Sequence, residues 1–268
     1  MSSINTQIQA EGLASTMLKE ERQGFLLEIL KREGKVLASE ISARLNVSED
    51  TIRRDLRELA REQKIQRVHG GALPRSLATG TYSARQQQAG AAKAAIAKTA
   101  ASLIQEGQLV FLYGGTTTLQ VAHHLAPDLH ATIVTNSPPL AVALAEHEHI
   151  EVILLGGRLY KSAQVTVGAA TVEEIESFRA DLCLLGVCSL HPEVGISVPD
   201  FEESHIMRAA IQCSAELAGL VVAEKLGTAH PYLVGPAKAL SCLVTDAEAP
   251  EEKLAPYREM GITVLKAT

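Results

Sequence analysis

The sequence predicts an α/β protein in two parts, a winged helix-turn-helix over residues 20–74 and a larger α/β domain with a mostly parallel sheet over residues 91–268. Three observations carry this. The chain has 268 residues, more than one domain usually holds. Apolar residues recur at helical spacing up to Leu59, whereas from Leu109 onward short apolar runs alternate with helical ones. Charge is also divided: residues 1–75 carry 13 Lys+Arg against 11 Asp+Glu, and residues 76–268 carry 12 against 20. A weakly basic end is thus joined to an acidic body, which confines attraction for phosphate to one end of the chain.

Composition narrows the classes. The net charge of −6 argues against a uniformly basic nucleic-acid binder. Aromatics make up 3% and tryptophan is absent, so the cores are aliphatic, as suits parallel sheets and helices. No apolar run reaches the roughly 18–20 residues of a membrane span, and the N-terminus lacks a basic start followed by an apolar block. The chain therefore reads as cytoplasmic. Cys183, Cys188, Cys213 and Cys242 are scattered without a CxxC pair and read as reduced structural thiols, with no metal site and no cofactor implied.

In order along the chain, residues 1–19 lack a clear period and read as a tail or frayed helix. Glu20–Glu33 places Phe25, Leu26, Ile29 and Leu30 on one helical face and is stopped by Gly34. Val36-Leu37 reads as a short strand and Ser39–Leu45 as a brief helix with Ile41 and Leu45 inward. The next helix begins at Ser48, a good N-cap, with Glu49 and Asp50 suiting the positive end of the helix dipole. On its wheel Ile52, Leu56 and Leu59 lie within about 40° of one another's mean direction, while Arg53, Arg54, Arg57 and Arg61 fall between about 100° and 200°. Asp55 and Glu58 take the remaining flank. Alone, such a face is equally compatible with solvated surface. Joined by a tight turn to the preceding helix, it makes a helix-turn-helix whose second helix suits the major groove. Lys64–Ala72 alternates Ile65 and Val68 with polar residues and closes at Gly70-Gly71, a β-wing that would put Arg67 and His69 beside a DNA backbone.

These residues resemble the DeoR family of bacterial transcriptional regulators. Arg22, Leu26, Leu30, Ser48, Thr51, Ile52, Arg53, Arg54, Asp55 and Leu56 fill the family's N-terminal pattern, and Arg67-Val-His-Gly-Gly-Ala72 resembles its wing. The resemblance implies a DNA-binding set of Ser48, Thr51, Arg53, Arg54, Arg57, Arg67 and His69.

Residues 75–90 are rich in Ser, Thr, Gln and Gly and read as a linker. A helix over Ala91–Gln105 leads to a strand, Leu109–Tyr113, then Gly114-Gly115-Thr116-Thr117-Thr118 and a helix over Leu119–Leu125. Strands and helices then alternate: Thr132–Thr135, helix Leu140–Glu146, Glu151–Leu155, helix Val172–Ser177, Leu182–Val187, helix Glu202–Glu216, Gly219–Ala223, Cys242–Thr245, helix Pro250–Met260 and Thr263–Leu265. Gly114–Thr118 presents backbone N–H groups and hydroxyls at a helix start, an anion cradle that is neither a dinucleotide fingerprint nor a P-loop. The turns Asn136–Pro139, Gly156-Gly157-Arg158 and Glu224–Gly227 also follow strands, so their polar residues converge if the sheet is open and parallel.

The resemblance extends over residues 20–265. It implies a sensor domain related to ribose-5-phosphate isomerases and CoA transferases that binds phosphorylated sugars or their catabolites. Gly115–Thr118, Thr135, Asn136, Gly156, Gly157, Gly168, Asp181, Gly186, Glu203, Arg208, Lys225 and Gly227 match family positions. The resulting effector set is Gly114, Gly115, Thr116, Thr117, Thr118, Asn136, Gly157, Arg158, Glu203 and Lys225. Two departures stand out. The family's Asp-Ser before Gly-Thr-Thr is Tyr113-Gly114 here, and its Asp-Ser-Ser-Lys is Glu224-Lys225, two residues shorter.

The reading is a DNA-binding regulator, not an enzyme: a repressor of sugar or sugar-derivative catabolic genes, released from double-stranded operator DNA by a phosphorylated effector and working as a homo-oligomer, dimer or tetramer. The rival is a sugar-phosphate isomerase or CoA-transferase-like enzyme with an accessory DNA module, for which Asp181, Glu203 and Glu224 are the available carboxylates. A scaffold with a vestigial pocket is the third reading, favoured only by the two departures.

Overall fold

The computed structural model describes residues 17–76 and 81–267, which divide into two compact units, the first running to Arg75 and including Gly227–Ala229. The tail expected over residues 1–19 lies outside the described residues as far as Thr16.

In the first unit, α1 (Lys19–Glu33) buries Leu26, Ile29 and Leu30 and ends at Gly34, whose φ of 73° is the left-handed cap that glycine adopts without a Cβ penalty. It is followed by β1 (Val36–Leu37), α2 (Ala38–Leu45) and α3 (Glu49–Arg61). Asn46 closes α2 in the left-handed region, and three residues later α3 begins. The hairpin of β2 (Ile65–Val68) and β3 (Gly71–Pro74) then pairs Ile65 with Pro74 and Val68 with Gly71, and β1 adds to the far side of β3. Leu26, Ile29, Ile41, Ile52, Leu56, Leu59 and Ile65 form one aliphatic core.

One expectation is corrected here. Asp55, placed on a charged flank by the wheel, is buried at 2% exposure. Helix α1 covers that flank: Arg22 Nε and Nη2 both donate to the Asp55 carboxylate, the second bond measuring 3.2 Å. Beside them Glu58 accepts from Gln23 Nε2 at 2.9 Å and pairs with Lys19 at 2.6 Å.

The second unit opens inside the stretch expected to be a linker. Thr81 caps α4 (Tyr82–Gln87), whose Tyr82 is buried in the core, so the irregular reading of residues 75–90 does not hold over this helix. Six residues are too few to display an apolar stripe. Next come α5 (Gly90–Ala101), β4 (Leu109–Leu112), α6 (Thr116–Ala122), β5 (Ala131–Thr135), α7 (Pro138–Leu144), β6 (Ile150–Leu154), β7 (Arg158–Tyr160), β8 (Val165–Val167), α8 (Ala169–Glu176) and β9 (Ala180–Gly186). The remainder is β10 (Ser189–His191), β11 (Gly195–Val198), α9 (Phe201–Gln212), β12 (Ser214–Val221), β13 (Tyr232–Gly235), β14 (Cys242–Asp246), α10 (Glu251–Glu259) and β15 (Thr263–Ala267).

Seven of these strands form one parallel sheet in the order β15-β14-β12-β9-β4-β5-β6. The chain winds outward from β4 to β6, returns to β9, and winds outward the other way. The reversal falls between β4 and β9, which places a crevice at their carboxyl ends. Both faces are covered, as expected of a parallel sheet. Val110, Leu112, Leu182 and Leu184 pack against Ile96, Ala97, Leu119 and Leu140, while Phe111, Cys183 and Leu185 belong to the core containing Ile175, Ile206, Met207 and Tyr257.

The hairpin β7-β8 and the antiparallel sheet β10-β11-β13 escaped sequence reading because strands of three or four residues show no usable alternation. The helix read as reaching Glu216 stops at Gln212, and β12 starts at Ser214. Parallel pairing of Ser214 with Ala180 and Glu216 with Leu182 outweighs the helical preference of Ala215 and Glu216.

Candidate functional site

The first candidate surface is built by α3 and the wing. Ser48 accepts the Thr51 N–H at 3.2 Å, and the two hydroxyls are 2.9 Å apart, so both residues fasten the start of the helix. Arg53, Arg54 and Arg57 are exposed along it, opposite the buried Ile52, Leu56 and Leu59. Arg53 pairs with Glu49 at 2.7 Å, and Asp50 takes Arg54 at 3.1 Å and Arg57 at 3.5 Å. Exposed pairs of this kind contribute little, so phosphate can replace them. The β2–β3 turn consists of His69 and Gly70, the latter at a φ of 77°. Arg53, Arg67 and His69 line one concavity of about 240 Å³ with Ala38 and Gly71.

The second surface lies at the carboxyl ends of the parallel strands. Gly115 precedes α6, which starts at Thr116 and not at Leu119, so the three threonines form its first turn and are buried. Thr118 Oγ1 donates to the Gly115 carbonyl at 3.0 Å. The Gly114 N–H donates to Asn136 Oδ1 at 3.2 Å, and Asn136 Nδ2 donates to the Thr166 carbonyl at 3.1 Å, which ties the turn after β4 to the turn after β5. Gly157 has a φ of 138°, and a Cβ there would meet Thr171 Oγ1 at 2.2 Å.

The departures at residues 113 and 114 have a shared physical account. Tyr113 is fully buried, and its hydroxyl donates to Glu203 Oε1 at 3.0 Å. Burial lifts the Glu203 carboxyl above its ordinary range, against the opposing effects of the Tyr113 bond and Arg85. A side chain at Gly114 has no room, because a Cβ would lie 2.3 Å from Val165 Cγ1 and 2.7 Å from Ser137 Cβ.

The remaining predicted residues fall in different places. Lys225 sits in the short turn after β12 and donates to the Val187 carbonyl at 3.0 Å, bringing it to the end of β9. Arg158 is exposed and paired with Glu202, the neighbour of Glu203. Arg208 binds the Leu233 carbonyl through Nε at 3.0 Å and joins α9 to β13. Asp181 accepts the Leu109 N–H at 2.8 Å near the start of β9, at the opposite end of the strand from the crevice. Of the three carboxylates available to the enzyme reading, Asp181 thus lies at the strand end away from the crevice and Glu224 is exposed.

Two residues that sequence reasoning missed belong here. Lys93 of α5 is 5% exposed, and its ammonium donates to the Arg85 carbonyl. Burial, reinforced by Lys225 and Arg85 and opposed by Glu224, brings Lys93 down to about 8. Arg85, on α4, donates through Nη2 to the Ser162 carbonyl at 2.8 Å. A signal existed for Lys93, which shares the inward stripe of Ile96, Ala97 and Ala100 at three-, four- and seven-residue spacing. A lysine on such a stripe is seldom buried without a task. Arg85 had no comparable signal.

Residues 22–76 match the DeoR-like helix-turn-helix domain, and residues 88–247 match the DeoR C terminal sensor domain. The chain is 34% identical over 232 residues to the HTH-type transcriptional repressor GlcR of Bacillus subtilis (strain 168), covering 86% of this chain and 89% of that protein. It is 33% identical over 235 residues to the glycerol-3-phosphate regulon repressor of Escherichia coli (strain K12), covering 87% of this chain and 93% of that one. Among solved structures, ribose 5 phosphate isomerase A from Neisseria gonorrhoeae matches with a TM-score of 0.37 and 13% identity, over 53% of this chain and 54% of that one. The chain belongs to the DeoR family of transcriptional regulators.

Proposed function

We propose that this DeoR-family regulator is a cytoplasmic repressor of sugar or sugar-derivative catabolic genes, that it binds operator DNA as a homo-oligomer, and that a phosphorylated effector releases it. The observation that carries the DNA half is the capped helix α3, with its arginines on the face opposite the core and beside the wing. Arg53 and Arg54 read bases or phosphates, Ser48 and Thr51 seat the helix start, and Arg57, Arg67 and His69 add backbone contacts. The effector half rests on the buried threonines and on Lys225 at the strand ends. Release follows if the effector prefers the conformation or assembly that fits DNA poorly, since equal binding to both would shift nothing. The names of both relatives support a repressor, and that of the glycerol-3-phosphate regulon repressor supports the class of effector.

Arg53→Ala and Arg54→Ala are each expected to cost about 1–3 kcal/mol of operator binding while leaving the second unit's ligand binding intact. Gel-shift titration at fixed salt tests this, and unchanged operator affinity would remove both residues from the interface. Thr117→Ala is expected to raise the effector concentration needed for release by roughly tenfold or more, the size of a lost hydrogen bond to a charged group, with operator affinity unchanged. Release of that variant at wild-type effector concentration would exclude Thr117 from the site.

A further inference from the structure

The parallel sheet ends on one side at β6, and among the described residues no strand pairs with its outer edge. The Leu155 N–H donates to the Thr135 carbonyl at 2.9 Å, and β6 keeps an unbroken register with β5. Alternate residues of a strand turn their backbone groups the same way. Glu151, Ile153 and Leu155 therefore bond to β5, while the N–H and C=O groups of Ile150, Val152 and Leu154 face outward.

Proteins usually blunt such an edge with lysine, proline or a bulge. The opposite edge, β15, follows that rule: it carries Lys266, whose ammonium bonds to the Ala249 carbonyl at 2.9 Å and to Glu251 at 3.2 Å. β6 reads Ile150-Glu-Val-Ile-Leu154, with no lysine, no proline and no register shift, and its Ile153 and Leu154 are exposed. Helix α7 packs on β6 and β5 and extends the apolar surface. Its residues, Pro138–Leu144, include no polar side chain; Leu140 and Leu144 reach the core, whereas Val142 is 73% exposed. A helix that is apolar all round belongs to an interior, and one side of α7 has none in a single chain.

We propose that β6 pairs antiparallel with β6 of a second copy of this chain across a two-fold axis, joining the two parallel sheets edge to edge and bringing the two α7 helices together beside the joint. The outward groups limit the register, because Ile150, Val152 and Leu154 must exchange hydrogen bonds with the same three residues of the second copy. An axis at Glu151 would set the one charged residue of the strand against its own counterpart, and like charges directly opposite are destabilising. An axis at Ile153 would put Ile150 opposite Gly156, beyond the end of the strand. An axis at Val152 pairs all five residues, with Ile150 against Leu154 and Glu151 against Ile153 of the second copy. The strand is thus complementary to itself in pattern and charge, as a two-fold contact requires. This pairing presupposes the homo-oligomeric repressor proposed above and gives it a surface. A two-fold dimer supplies two DNA-reading units, one for each half-site of a palindromic operator.

Sedimentation equilibrium of the full-length protein over a dilution series tests the pairing, with Ile153→Glu and Ile153→Lys as the variants. Residue 153 meets Glu151 of the second copy twice, once on each side of the axis. Glutamate there creates two like-charge pairs and is expected to raise the dissociation constant of the dimer about tenfold or more, whereas lysine creates two opposite-charge pairs and is expected to keep it within about threefold of wild type. Ile153 is exposed in the single chain, so a defect of folding would strike both variants alike and the difference between them reads the contact. Amide exchange gives an independent measure. The Val152 and Leu154 N–H groups are expected to slow as the protein is concentrated, while those of Glu151 and Ile153, already bonded to β5, keep their rates. Equal dissociation constants in the two variants would overturn the pairing and leave the homo-oligomer to another surface, and so would unchanged exchange at Val152 and Leu154. A wild type that stays monomeric at every concentration would overturn the homo-oligomer as well.

Discussion

Asp55→Ala is expected to destabilise the DNA-reading unit by about 3–5 kcal/mol, the cost of stranding one member of a buried ion pair. Arg22 has only 12% of its side chain exposed and is held by two bonds to the Asp55 carboxylate, so little water can reach its guanidinium to replace them. Asp55 lies on α3 and Arg22 on α1, and losing their bond separates the helix that carries the exposed arginines from its support. Scanning calorimetry of the full-length protein should show one transition moving sharply down or vanishing while that of the second unit stays. The double variant Arg22→Met with Asp55→Leu should recover most of the stability, because a matched apolar pair leaves no unpaired charge. Equal melting of Asp55→Ala and wild type would mean that the pair adds nothing.

Gly71→Ala is the second large effect, expected to cost about 3 kcal/mol or more and to abolish operator binding. A Cβ at Gly71 would lie 1.9 Å from the Val36 carbonyl oxygen and 3.0 Å from its carbon, and both are backbone atoms that no rotamer change can move. The β1–β3 pairing of Leu37 with Gly71 must open, and the wing loses its anchor. The adjacent Gly70→Ala is the control. Gly70 has a φ of 77° but open space around it, so alanine should cost only the left-handed penalty of roughly 1–2 kcal/mol. Thermal unfolding and gel shift on the two variants would separate steric exclusion from backbone strain. Equal losses would mean that the close approach to Val36 does not matter.

Periodicity was enough to find the elements whose packing is local. Leu26, Ile29 and Leu30, and then Ile52, Leu56 and Leu59, announce their helices because each stripe faces one small core. The alternation of strands and helices likewise predicts the parallel sheet. Legibility failed where a residue's environment is set by a distant segment. Asp55 reads as surface on its own helix and is buried only because α1 lies across it. Tyr113 reads as the end of a strand, and its partner is 90 positions away in sequence. Short strands such as Ser189–His191 are defined by pairing and not by pattern. In the candidate effector site the turns after β4 and β5 were legible as turns, whereas Arg85 was hidden in a stretch that looked like linker and is ordered by a lysine eight positions later.

The acidic first turn of α3 also bears on how the protein searches DNA. Glu49 and Asp50 hold Arg53, Arg54 and Arg57, so these arginines carry built-in counterions. A phosphate that displaces a carboxylate from arginine gains less than one meeting a bare cation, and that cost falls equally on every DNA sequence. Operator and non-specific affinity should therefore be lowered alike, and the salt dependence of non-specific binding should be shallower than the number of arginines on the helix suggests.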